Sequence, residues 1–67
     1  MKILLNNIIT PLPSDFMTVA EFVAWKDIKP LGTAIAINDK IIKKALWDST
    51  TFQDLDRVTV ITAAFGG

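Results

Sequence analysis

The chain has 67 residues, a hydrophobic share of 51%, and 7 Lys plus Arg against 7 Asp plus Glu, for a net charge of 0. That length allows one domain, which buries only about 60% of its unfolded surface, and the hydrophobic share argues for a packed globule over disorder. The balanced charge gives no electrostatic case for nucleic acid or an anionic membrane, and with no Cys, His or Tyr there is no disulfide scaffold, no Cys-based zinc site, no thiol nucleophile and no imidazole base.

The opening residues, Met1 to Asn7, do not read as a signal peptide: Asn6 and Asn7 interrupt the apolar run and no small-residue cleavage site follows. No stretch approaches the roughly 18 consecutive apolar residues of a membrane span. The expectation is a cytoplasmic protein. Residues 2–6 read as an interior strand, with Ile3 and Leu5 on one face and Leu4 on the other. Asn6-Asn7 turns the chain, because Asn tolerates the left-handed conformation. Residues 8–12 return as a second strand, and Pro11 and Pro13, which lack amide donors, place it at a sheet edge.

After Ser14-Asp15, Thr18-Val-Ala-Glu21 carries the capping-box pattern, with Met17 and Phe22 at the flanking staple positions. Val19, Phe22 and Val23 follow helical spacing. The helix is expected to fade around Lys26 to Asp27, ahead of Pro30. Gly32 opens a strand over residues 33–37, an uncharged run that fits a buried position. An Asn38-Asp39 turn leads to a short return strand at Lys40-Ile-Ile-Lys43. Residues 43–56 are less regular. Trp47, alone among polar residues, is read as a loop anchor in the core, with a partner contact as the other reading.

Residues 57–65 are rich in Val, Ile and Thr and form the last strand. Val58, Val60, Thr62 and Ala64 face one way; Thr59, Ile61, Ala63 and Phe65 face the other. The order is strand, strand, helix, strand, short strand, long strand, and a helix across one face of a mixed sheet is the two-layer solution. The fold class is α+β, with four to five strands, one main helix, a domain over residues 1–65 and a flexible tail at 66–67.

Asp54 and Asp56 invite a metal or acid–base reading, but a hard cation needs more oxygen ligands from a shaped loop, so a solvated turn is the better reading. Lys40, Lys43 and Lys44 form a small basic patch without any glycine-rich loop before a helix, and a solvated face is favoured there too. Gly66-Gly67 remains. The expected end of the chain is a free carboxylate on an almost side-chain-free stalk, able to thread a narrow channel. That carboxylate becomes an electrophile once joined to AMP, and with no Cys in the chain the nucleophile must come from elsewhere.

In Met1-Lys-Ile with Asn6, Thr18-Val-Ala-Glu21, Gly32-Thr-Ala-Ile-Ala-Ile-Asn38, Trp47, Asp56-Arg-Val-Thr-Val-Ile-Thr-Ala63 and the terminal Gly66-Gly67, the chain resembles the sulfur-carrier proteins of thiamine biosynthesis, which share the ubiquitin-like β-grasp fold. The resemblance covers nearly the whole length. It implies a carrier and co-substrate, not an enzyme. An E1-like activating enzyme would adenylate Gly67. Sulfur from cysteine, relayed as a persulfide from a donor such as a cysteine desulfurase, would make the thiocarboxylate, and thiazole synthase would take the sulfur. ATP and magnesium would belong to the activating enzyme, with no cofactor bound by this chain. Phe65, Ala63 and Ile61 are the candidate partner contacts near the tail, Phe65 foremost. Three features depart from the common pattern: Lys43-Lys44 stands where Pro-Arg is frequent, Leu55 where Gly often precedes the Asp, and Phe65 where a polar residue is common. A carrier for molybdopterin synthase or another sulfur pathway, a ubiquitin-like modifier joined to lysines through Gly67, and a binding module with an inert tail are the competing readings.

Overall fold

The structure is a computed structural model that describes residues 1–62. Its described elements are strands β1 (Lys2–Leu5), β2 (Ile8–Pro11), helix α1 (Val19–Trp25), β3 (Thr33–Ile37), β4 (Lys40–Ile42), a 3₁₀ helix (Lys44–Leu46) and β5 (Arg57–Thr62). The strands form one mixed sheet in the order β2-β1-β5-β3-β4, so the last strand occupies the centre. Only β1 and β5 pair in parallel; the other pairs are antiparallel.

Both hairpins are closed by two residues with positive φ. Asn6 and Asn7 lie at φ 47° and 70°, and Asn38 and Asp39 at 50° and 71°. This is the primed-turn pattern whose twist suits antiparallel strands, and Asn and Asp tolerate it best after Gly. Pro11 falls on the outer strand β2, as its missing donor requires. Helix α1 begins as its sequence predicts. The Thr18 side chain accepts from the Glu21 amide at 3.1 Å, and Glu21 accepts from the Thr18 amide at 2.9 Å.

The helix ends by a device other than Pro30. Asp27 adopts φ 55°, its amide donates to the Ala24 carbonyl and the Ile28 amide donates to Val23. This is a Schellman arrangement with Asp where Gly is usual, and Ile28 is partly buried against the core beside Val23.

The core lies between α1 and one face of the sheet. Ile3, Val58 and Ile35, on the three adjacent strands β1, β5 and β3, are fully buried, as are Val19 and Phe22 of the helix. Each such side chain contributes about 1.5–3 kcal/mol by leaving water. Met17 and Phe22, at the staple positions, both belong to this cluster. The irregular segment supplies Phe52, whose ring meets Phe22 edge to face with centroids 5.3 Å apart. Trp47 is buried and donates from Nε1 to the Ile42 carbonyl at 3.0 Å. That segment is also stitched to the start of the helix: the Val19 amide donates to Thr50 and the Ala20 amide to Trp47.

Candidate functional site

The strand leading towards Gly66-Gly67 is held from both sides. On one side β3 pairs with β5 from Ile37↔Val58 to Thr33↔Thr62. On the other, β1 pairs only at Leu4↔Arg57 and Leu5↔Val58. Val58 is buried and Val60 half-buried beneath the helix, whereas Thr59 and Ile61 are exposed on the opposite face, so the two-residue alternation expected of this strand holds over its described part.

Two asparagines fasten β5 at different points. Asn38 clamps its start: Nδ2 donates to Asp56 Oδ1 at 2.9 Å, Oδ1 accepts from the Arg57 amide at 3.0 Å, and the Asn38 amide donates to the Arg57 carbonyl at 2.8 Å. Asn6 fastens the strand further along. Its amide donates to the Val58 carbonyl and its Oδ1 accepts from the Val60 amide, both at 2.9 Å. No pattern in the sequence marks these side-chain roles; only the register of two hairpins against a third strand creates them.

Asp56 and Asp54 are structural. The Asp56 carboxylate, buried, accepts from Asn38 Nδ2 and from the Gln53 amide at 2.8 Å. Asp54 Oδ1 accepts from the Lys2 amide at 3.0 Å. No cluster of three metal-ligating His, Cys, Asp or Glu side chains occurs among the described residues. Lys40, Lys43 and Lys44 are all exposed, and Lys44 Nζ lies 5.8 Å from the Trp47 ring centroid, a contact that anchors the lysine stem. Among the described residues no helix is long and apolar enough to cross a membrane.

Of the predicted partner contacts, Ile61 is about half exposed and stands opposite Ala34 on the sheet face away from α1. On the same face, by register, lie Ile41 beside Ala36, and Ile9 beside Leu4. Ile9 and Ile41 are also exposed. Ala63, Phe65, Gly66 and Gly67 lie outside the described residues.

A five-stranded mixed sheet with its parallel pair at the centre and one helix across a face defines a ubiquitin-like β-grasp protein. The model of the ThiS family matches residues 3–67, and the chain belongs to that family. The crystal structure of a thiamine biosynthesis protein, ThiS, from Geobacter metallireducens superposes with a TM-score of 0.84 at 22% identity, over 100% of each chain. No curated protein sequence matches the chain significantly.

Proposed function

We propose that this protein is a sulfur carrier of thiamine biosynthesis, acting in the cytoplasm as a co-substrate of partner enzymes. The observation that carries the reading is the placement of β5. The strand preceding the two glycines is the central strand of the sheet, fastened to both neighbours. Four residues, 63–66, then separate Thr62 from Gly67. A rigid base below a short, glycine-ended stalk suits a group that other enzymes must reach, and family membership supports the carrier class.

In this reading residues 1–65 are the domain and Gly66-Gly67 the tail. The Gly67 carboxylate oxygen bonds to the α-phosphorus of ATP and pyrophosphate leaves, on an E1-like activating enzyme that also holds the magnesium. The terminal sulfur of a partner's persulfide, derived from cysteine, attacks the carbonyl carbon and AMP leaves, giving an acyl disulfide. A second thiol, also supplied by a partner since this chain has no Cys, attacks the donor's sulfur, forms a disulfide with it and releases the thiocarboxylate. Thiazole synthase then accepts the sulfur. The chain contributes no acid, base or thiol of its own, consistent with its lack of His and Cys.

The test is intact-mass spectrometry of the chain after incubation with activating enzyme, ATP, a persulfide donor and a thiol reductant. The expected product carries one sulfur in place of one oxygen, confined to the C-terminal peptide, and deletion of Gly67 abolishes it. An unchanged mass for the intact chain overturns the reading. A lysine adduct formed through Gly67 identifies a protein modifier instead.

A further inference from the structure

The hydrogen-bond parity of β5 leaves one stretch of its backbone without a neighbouring strand among the described residues. Arg57 turns its peptide groups towards β3, since its carbonyl accepts from the Asn38 amide, and Thr59 and Ile61 follow by alternation. Val58 and Val60 turn theirs the other way, towards β1: the Val58 carbonyl accepts from the Asn6 amide, and the Val60 amide donates to Asn6 Oδ1. At that point β1 has ended and the chain reverses through Asn6 and Asn7. The Val60 carbonyl and the Thr62 amide face the same side by the same alternation. Among the described residues no strand lies beside them.

This gap sits in the middle of the sheet, against its central strand, at the end from which the chain continues to Gly67. We propose that an extended segment of the enzyme that activates Gly67 adds as a strand at Val60–Thr62, next to the Asn6-Asn7 turn. The inference rests on the carrier reading. Unpaired strand edges are templates for strand addition, which draws affinity from main-chain bonds. Distance brings this enzyme to that end of the sheet. Residues 63–67 span at most about 18 Å when fully extended. The catalytic centre that adenylates Gly67 therefore comes within that distance of Thr62, and the enzyme's body meets this end of the sheet. Asn6 sets where the added strand begins. By satisfying the Val60 amide it leaves the Val60 carbonyl and then the Thr62 amide as the first groups without a neighbouring strand among the described residues, so the incoming segment has one register.

The test uses ATP–pyrophosphate exchange by purified activating enzyme, with the full-length chain as substrate. Thr62→Pro removes the outward amide while the Ile61 rung to β3 remains. It raises KM about tenfold, the value of one lost main-chain hydrogen bond, with kcat and the urea midpoint preserved. Thr62→Ala keeps the amide, so the effect of losing the side chain alone is read from it and subtracted. Should Thr62→Pro unfold, a semisynthetic chain with an ester in place of the Thr62 amide provides the same readout. Equal KM values for the Pro or ester form and the Ala form overturn the strand-addition proposal while leaving the carrier reading intact. Absence of exchange with the unaltered chain overturns the carrier reading itself, and the proposed occupant with it.

Discussion

The two hairpins are built alike and act differently on the strand between them. Each turns through two left-handed residues led by an asparagine, and each sends that asparagine's side chain to β5. The difference is direction. Because β3 runs antiparallel to β5, its turn lies at the start of β5, and β3 accompanies the strand as far as Thr62. Because β1 runs parallel to β5, its turn lies at the tail end and pairing stops at Val58. One flank of the central strand is therefore closed along its described length and the other is open beyond Asn6. The same turn chemistry thus produces a clamp on one side and a gap on the other, and strand direction alone decides which.

Alanine at each asparagine separates the two roles. Asn38→Ala has the larger effect. It removes the bond to the buried Asp56 carboxylate, the bond to the Arg57 amide and the side chain that tolerates φ 50°. A hydrogen bond to a charged group is worth about 1.5–3 kcal/mol and a neutral one about 1, so the expected loss is about 3 kcal/mol in the urea unfolding free energy. That is a large share of the stability of so small a domain. Asn6→Ala removes one neutral bond from a turn with the same backbone requirement, and about 1.5 kcal/mol is expected. Its local signature is sharper than its global one. Amide exchange at Val60 accelerates, whereas Ile61, whose amide faces β3, keeps its protection. Equal losses for the two variants, or unchanged exchange at Val60, would remove the distinction between clamp and gap.

The fold was legible where a single residue type answers a local demand. Asn6-Asn7 and Asn38-Asp39 announced both turns, Pro11 announced an edge, and Thr18 with Glu21 announced the helix start, all as found. Trp47 was legible as a core anchor because a lone large apolar residue in a polar stretch has few other uses. Strand ends were less legible. Residue 6 belongs to the turn and not to β1, and Leu12 and Lys43 lie just beyond β2 and β4, since pairing, not propensity, decides where a strand stops. The place of the helix end, around Lys26 to Asp27, was legible, but its cause was not: Pro30 suggests itself as the reason, whereas Asp27 closes the helix as an αL residue that is usually Gly. The 3₁₀ helix at Lys44–Leu46 and the burial of Phe52 left no periodic trace, because a three-residue helix and a single inward ring are set by tertiary contact. At the candidate site the glycines stand out by residue type, but the open flank of β5 does not. It depends on which strand is parallel, and no residue encodes that.

A third left-handed site at the entrance to β5 tests how far the asparagine turns are a matter of residue choice. Leu55 lies at φ 65° with its side chain about half exposed. Its amide donates to the Lys2 carbonyl at 2.7 Å, and the following Asp56 amide donates to Gln53, so the turn that delivers Asp56 to Asn38 fixes the left-handed angle. Unlike Asn or Asp, Leu gains no local hydrogen bond there, and its Cβ crowds the following carbonyl at a cost of about 1–2 kcal/mol. Glycine escapes that crowding but adds freedom to the unfolded chain, which subtracts roughly 0.5–1 kcal/mol. Leu55→Gly therefore stabilises by about 0.5–1 kcal/mol, and Tm rises by a few degrees, given about 4–8 °C per kcal/mol for a domain of this size. The double variant with Asn38→Ala tests whether the two sites form one unit. If the Leu55 turn serves mainly to present Asp56 to Asn38, part of the glycine gain disappears once Asn38 is gone; if the gain is purely local strain relief, the two effects add. A fall in Tm for Leu55→Gly alone would show that the leucine side chain contributes packing that outweighs its backbone strain.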